Sequence, residues 1–320
     1  MKILVTGGAG FIGSHLTSRL LERGDDVAVI DDFNDFYSPR LKRENVAPFL
    51  DNPAFSLHEV DIRSAVELTE VIEGFSPDVV CHLAARAGIR PSIEDPLLYE
   101  DTNSMGTLNI INAVKEMELK NFVFASSSSV YGTNTKLPFS EDDPVRNAIS
   151  PYAATKRSSE LMLGVYSRLY SIPVICLRFF TVYGERGRPD MAIARFTKAI
   201  SEGKEIQLYG DGSARRDFTY IDDILMGLVA AIDRPAKYEI INLGESRVVD
   251  VNFLITTIED KLGKKANVVH CPAFAGDVPV TYADISKAAR LLDYAPKVSI
   301  EDGISRYVDW FVDEGFKFYS

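Results

Sequence analysis

Residues 5–16 read VTGGAGFIGSHL, and the placing of their glycines decides the fold. They follow the apolar run KILVT (2–6) and open the helix-patterned IGSHLTSRLLERG (12–24). Gly7, Gly10 and Gly13 stand at the junction, and Gly8, Gly10 and Gly13 also fit G-x-G-x-x-G. Glycine permits the tight turn and lets backbone approach an anion. The helix behind it offers unpaired N–H groups and a positive dipole end to a pyrophosphate. A lone glycine pattern is weak evidence. This one follows the first strand, opens a helix, and precedes a carboxylate, Asp31, that ends the next strand DVAVID (26–31). That context predicts a dinucleotide-binding turn.

Outward from this turn, short apolar runs alternate with helix-length amphipathic segments. FSLHEVD (55–61), DVVCHLAA (78–85), NFVFASS (121–127) and IPVICLRFF (172–180) complete six strand-like runs. They are rich in Val and Ile with little polar alternation, as expected of strands covered on both faces. Segments such as AVELTEVIEGF (65–75) lie between them. The fold class predicted is α/β, a Rossmann-type doubly wound parallel sheet with right-handed crossovers. Past Arg178 the pattern becomes mixed, with helices expected around 190–203, 222–234, 250–262 and 300–314. We therefore expect a nucleotide-binding domain over 1–178 and a smaller mixed α/β substrate domain over 179–320. A segment near 216–245 is expected to return to the first, because DFTYIDDILMGLVAAI (217–232) is apolar enough to pack against it. The polar stretch 32–54 reads as an insertion, loop with a short helix.

The 320 residues suffice for a sizeable core and two domains. A net charge of −11 argues against nucleic acid or anionic membrane as the main partner. It does not exclude a small anionic substrate, because salt screens the global field beyond about 8 Å and a local arginine cluster dominates. Cys81 and Cys176 sit in apolar runs and Cys271 is far from both, so a reduced, cytoplasmic compartment is expected. The four histidines show no metal-ligand spacing, and no metal is expected. The leading MKILVTGG has too short an apolar run for a signal peptide, and no run approaches the roughly 18 apolar residues of a membrane span, so a soluble chain is expected.

Ligands of such sheets sit at the carboxyl ends of the strands. The turn residues Gly7, Gly10, Phe11, Ile12 and Gly13 are the expected pyrophosphate cradle. Asp31, with Asp32 beside it, is expected at the adenosine ribose. A carboxylate there repels a 2′-phosphate, and no Arg or Lys follows until Arg40, which favours NAD over NADP. Asp61 and Ile62 are placed at the adenine, and Leu83, Ala84 and Ala85 along the dinucleotide path. Asn103, which opens NSMGTLNIINAV, reads either as a cofactor contact or as an ordinary helix cap.

SPYAATKRSSE (150–160) starts a helix at Pro151 and puts Tyr152 and Lys156 on one face. An unperturbed phenol, with a pKa of about 10, is a poor base at neutral pH. A nearby ammonium and a positively charged nicotinamide both favour the phenolate, so Tyr152 is the expected base, tuned by Lys156. Upstream, KNFVFASSSSVYG (120–132) runs from apolar strand straight into four serines. At the carboxyl end of the fifth strand those hydroxyls face the cofactor crevice. A flexible linker is the alternative, and the strand on one side and VYG on the other argue against it.

With fingerprint, serines, Tyr and Lys in place, the chain resembles the extended short-chain dehydrogenase/reductase family over essentially its full length, and within it the nucleotide-sugar epimerases. The resemblance implies that Ser127, four residues before Tyr131 of VYG, assists Tyr152 and Lys156. The dehydratase and decarboxylase branches carry an acid just after that position, where this chain has Ser128 and Ser129. Thr181 in LRFFTVYGERGRPDMA, and AARAGIRPSIEDP with Arg86 and Arg90, look like UDP-glucuronate 4-epimerases. Relatives acting on glucose commonly have an Arg shortly before the late Gly-Asp. Here Phe274 stands in that region of PAFAGDVP (272–279), whose Asp277 is another expected substrate contact.

The resemblance implies interconversion of UDP-glucuronate and UDP-galacturonate through a 4-keto sugar, with NAD regenerated and a homodimer built by paired helices. Ser128, Ser129 and Thr181 are expected to hold the substrate carboxylate, and Arg188 the carboxylate or the diphosphate. Arg216 is expected at the diphosphate. Gln207 and Tyr209 frame the uracil, or EIQLYG (205–210) is simply a strand. Arg90 is a substrate contact, or it pairs with Glu94 or Asp95, as does Arg86. The competing readings are a 4-epimerase of neutral UDP-sugars such as UDP-glucose, a decarboxylase, a net dehydrogenase, and a silent NAD-binding regulator.

Overall fold

The computed structural model describes residues 1–272 and 278–319. Six parallel strands follow the expected runs: β1 (Lys2–Thr6), β2 (Asp26–Asp31), β3 (Phe55–Glu59), β4 (Val79–His82), β5 (Asn121–Ser127) and β6 (Val174–Phe179). A seventh strand, Tyr238–Leu243, pairs parallel with β6. The order across the sheet is Tyr238–Leu243, β6, β5, β4, β1, β2, β3. The chain therefore reverses direction of travel at β1, between β2 and β4, and a crevice opens at the carboxyl ends there.

Strand alternation explains how one sheet carries two cores. Ile3, Val5, Val27, Val29 and Val123 face one side, where they meet Leu16 and Leu20 of α1 (Phe11–Arg23) and Ile224 and Leu228 of the Ile221–Asp233 helix. Leu4, Ala28, Ile30, Val80 and Phe122 face the other, against Leu68, Ile72, Ile110, Ile111 and Leu163. Both faces are covered, so the strands carry no polar alternation. At the edge, β3 is only half-buried.

Beyond β6 the helices Ala192–Glu202, Ile221–Asp233, Val251–Leu262 and Ile300–Trp310 match the expected regions within a few residues, the last running on through a wide helical turn, Phe311–Gly315. Around them the described residues form three two-stranded pairings: Thr181–Tyr183 with Phe218–Tyr220, Arg215–Arg216 with Val249–Asp250, and Glu205–Tyr209 with Asn267–Cys271. The insertion 32–54 holds the helix Pro39–Val46 and a short 3-10 turn, Ala47–Phe49. Among the described residues no helix is long and apolar enough to cross a membrane.

A buried ionic network ties the Pro151–Tyr170 helix to the sheet. Glu160 is fully buried, and its carboxylate accepts from Arg178 Nε and Nη2, each at 2.9 Å, from Arg157 Nη1 at 2.8 Å and from Ser126 Oγ at 2.6 Å. Arg178 is 1% exposed and lies in the middle of β6's carboxyl half. Removing one partner of such a pair strands the other charge in a medium that cannot solvate it. Glu160→Ala is expected to lose about 3–5 kcal/mol of unfolding free energy in urea titration, far more than Arg43→Ala, whose ion pair with Glu59 is exposed.

Candidate active site

All six strands β1 to β6 send residues from their carboxyl ends into one cleft of about 360 Å3. At one end lie Gly7, Gly10, Phe11, Ile12, Gly13, Asp31, Asp32, Val60 and Ile62; at the other, Ser126 to Ser129, Tyr152, Lys156, Phe180, Thr181 and Arg188, with Leu83, Ala84 and Ala85 also lining it.

The glycine end is a cradle that side chains would fill. Gly7 has φ +70°, and a Cβ there would lie 2.7 Å from the backbone nitrogen of Ala84. A Cβ on Gly13 would lie 2.1 Å from the carbonyl oxygen of Gly7. Only glycine lets strand, turn and helix come this close. Gly10 precedes α1 with no side-chain cap, leaving the helix start open to the cleft. Asp31 is buried, and its carboxylate accepts from the Ala9 and Phe33 N–H groups at 3.1 and 3.0 Å. Burial raises its pKa, opposed by Lys42 and these N–H groups. These features fit a dinucleotide: glycines for close approach, an open helix start for the pyrophosphate, a carboxylate for the ribose.

At the other end, Lys156 is 3% exposed and its Nζ donates to the Ala125 carbonyl at 2.7 Å. Burial pushes its pKa down from 10.5 to about 7, against the pull of Glu160 one helical turn on. Ser127 Oγ accepts from the Ser129 N–H at 3.1 Å, which starts the turn Ser128–Tyr131. Ser127 also lies close enough to the Tyr152 phenol to favour its ionised form. Burial raises the phenol's pKa, opposed by Ser127 and the Arg188 charge. The Lys156 Nζ is bonded to the end of β5.

Other expected contacts fall elsewhere. Asn103 does not line the cleft. It lies in the wide turn Glu100–Met105, where its side chain accepts from the Arg86 N–H at 2.8 Å and donates to the Arg86 carbonyl at 2.9 Å and to Thr155 Oγ1 at 3.1 Å. It braces the segment after β4 against the Tyr152 helix. Asp61 also stays out of the cleft, held by Arg63 at 2.6 Å, while Ile62 lines it. Arg188 lines the cleft and forms a two-point ion pair with Asp190 at 3.0 and 2.7 Å. Gln207, Tyr209, Arg90 and Arg216 lie outside the lining, although the Arg90 guanidinium packs 4.0 Å from the Tyr209 ring centroid. Arg216 Nη1 donates to the Arg215 carbonyl at 3.0 Å. Asp277 and Phe274 lie outside the described residues.

Sequence reasoning passed over the insertion. Asn34, Phe36, Tyr37 and Lys42 all line the cleft. Lys42 is buried and its Nζ donates to the Asn34 carbonyl at 2.9 Å, with its charge offset by Asp31 and Asp32. The aromatic pair within an otherwise polar stretch was the available signal.

A model of the NAD dependent epimerase/dehydratase family matches residues 3–244. A UDP-glucuronate 4-epimerase of Thermodesulfobacterium geofontis is 44% identical over 308 residues, covering 96% of this chain and 95% of that one. Among solved structures, the UDP-glucuronic acid 4-epimerase of Bacillus cereus in complex with UDP-glucuronic acid and NAD has a TM-score of 0.93 at 40% identity, covering 98% of this chain and 99% of that one. The UDP-glucose 4-epimerase of Thermotoga maritima with UDP-glucose has a TM-score of 0.90 at 33% identity, with the same coverage of both chains.

The depressed Lys156 pKa has a measurable consequence. Between about 7 and 10.5 the unfolded chain carries a proton on this amine that the folded chain has released. Unfolding therefore takes up a proton, and stability rises with pH across that window, by at most about 1.4 kcal/mol per pH unit. The difference in urea-unfolding free energy between the wild type and Lys156→Met is expected to shift in the wild type's favour from pH 7 to pH 9.5. A difference independent of pH contradicts the shift.

Proposed function

The chain belongs to the NAD-dependent epimerase/dehydratase family, and on that premise we propose that it is a UDP-sugar 4-epimerase interconverting UDP-glucuronate and UDP-galacturonate. The observation that carries this reading is the lining of the reaction end of the cleft. Ser127, Ser128, Ser129, Thr181 and Arg188 meet there around Tyr152, and the carboxylates that line the cleft, Asp31 and Asp32, belong to its glycine end. Short hydroxyls and a guanidinium suit a substrate carboxylate.

NAD, held by the glycine turn and Asp31, supplies a hydride acceptor and donor when bound. The chain's own residues handle the proton. Tyr152, as the phenolate that a positively charged nicotinamide would favour, takes the proton of the sugar 4-hydroxyl and later returns it. Ser127 steadies the same oxygen. Lys156, fixed to the end of β5 by Ala125, holds a titratable amine beside them and sets the local field. The 4-keto sugar formed is a β-keto acid. It loses carbon dioxide fastest with its carboxylate bond perpendicular to the carbonyl plane. Ser128, Ser129 and Thr181 hold the carboxylate away from that orientation while the ring turns over. Beyond the cleft, Arg216 and the Arg90–Tyr209 pair, with Gln207 on the same strand as Tyr209, are the candidates for the nucleotide half of the substrate, and Asn103 acts by positioning. Three free cysteines suit a reduced, cytoplasmic compartment.

We also infer a homodimer. Leu161, Val165 and Leu169 recur at four-residue intervals along the Pro151–Tyr170 helix and are exposed, as is Met162. Leu97 and Met105, on the segment packed beside that helix, are exposed too. A second copy of the same two segments covers the stripe.

Two measurements test these readings. Purified protein given UDP-glucuronate without added NAD is expected to yield UDP-galacturonate by NMR, and the triple replacement of Ser128, Ser129 and Thr181 by Ala to raise the share of decarboxylated product. Turnover of UDP-glucose with none of UDP-glucuronate sinks the substrate assignment. Light scattering is expected to give twice the chain mass for the wild type and the single-chain mass for Val165→Glu combined with Leu169→Glu.

A further inference from the structure

The insertion after β2 is fastened to the glycine turn at Ala9. Phe33 and Val46 pack on Ala9, and Asn45 Nδ2 donates to the Ala9 carbonyl at 2.9 Å. Asp31 accepts the Ala9 N–H from below. Between these fixings the segment 34–42 passes along the cleft. Phe36 reaches towards the reaction end, with the guanidinium carbons of Arg188 and Arg86 at 5.3 and 5.8 Å from its ring centroid. Tyr37 turns the other way. Lys42 Nζ lies 5.1 Å from its ring centroid, and its hydroxyl comes 3.8 Å from where a Cβ on Gly10 would stand.

That hydroxyl is buried and has no hydrogen-bond partner among the described residues. It lies within reach of the fields of both Asp31 and Arg188. Leaving a buried phenol unpaired costs free energy that one acceptor offsets. The missing acceptor must occupy the space over Gly10, and the chemistry that fits between a glycine turn, an uncapped helix start and an O–H donor is a phosphate oxygen.

We propose that the Tyr37 phenol donates a hydrogen bond to the pyrophosphate of the bound dinucleotide, and that the strap 32–46 thereby keeps the cofactor in place between hydride removal and hydride return. The proposal rests on NAD as the family's cofactor and on the epimerase reading. An enzyme that returns a hydride to the carbon it came from loses the cycle if the reduced cofactor leaves midway. A strap fixed at both ends, with one donor aimed at the diphosphate, slows that escape without touching the reacting atoms.

Tyr37→Phe removes one oxygen and leaves the ring packing in place. The test compares wild type and variant as purified, with matching circular dichroism spectra. It measures how fast bound NAD exchanges with labelled NAD, together with the KM for the UDP-sugar the wild type turns over. The expected result is exchange about tenfold faster with KM changed less than twofold. Unchanged exchange overturns the proposal. A raised KM with unchanged exchange also overturns it, assigning the hydroxyl to the substrate diphosphate. Wild-type protein that neither carries nor exchanges NAD overturns both the proposal and the cofactor assignment beneath it. Normal NAD exchange without conversion of any UDP-sugar sinks the epimerase reading, and with it the claim that the strap guards a hydride in transit.

Discussion

Burying the amine of Lys156 is the constraint on which the site depends. A lysine that is almost wholly out of water must find oxygen, and it finds the carbonyl of Ala125 at the end of β5. One turn further along the helix, Glu160 meets the next residue of that strand, Ser126, and the buried Arg178 of β6. Two consecutive residues of β5 are thus tied to two consecutive turns of one helix. Ser127, the residue after them, has little freedom, and Tyr152, one turn before Lys156, is held against it. The candidate catalytic pair is positioned by interactions below it.

The same cleft separates two kinds of electrostatics. Its glycine end carries acids matched to ribose hydroxyls and an open helix start matched to phosphate. Its reaction end carries hydroxyls and one guanidinium. Arg188 keeps Asp190 as a two-point partner, so its charge is partly met by the protein before any ligand arrives. This tempers its grip on an anion and fixes the direction of its fork.

Distance along the chain from a motif does not say what a side chain meets. Asn103 faces the backbone of Arg86, Asp61 is captured by its near neighbour Arg63, and Lys42 folds back from a helix inside an insertion to lie near Asp31. Helix spacing placed Tyr152 and Lys156 on one face. Spacing gives proximity, but it gives neither the burial that raises the phenol's pKa nor the partner of the amine, which is the Ala125 carbonyl.

The linear sequence by itself determined the alternation of strands and helices, the glycine turn with its carboxylate, and the shared helix face of Tyr152 and Lys156. Each of these follows from short-range rules: strand period, helix period, and the steric freedom of glycine. Only the tertiary structure decided that Tyr238–Leu243 closes the sheet beside β6, that Arg178 answers Glu160, and that Tyr37 reaches the space over Gly10. Those contacts join residues far apart in the chain. They are selected by which buried polar groups can satisfy one another once the sheet has packed, and a local pattern of residues carries no record of that choice.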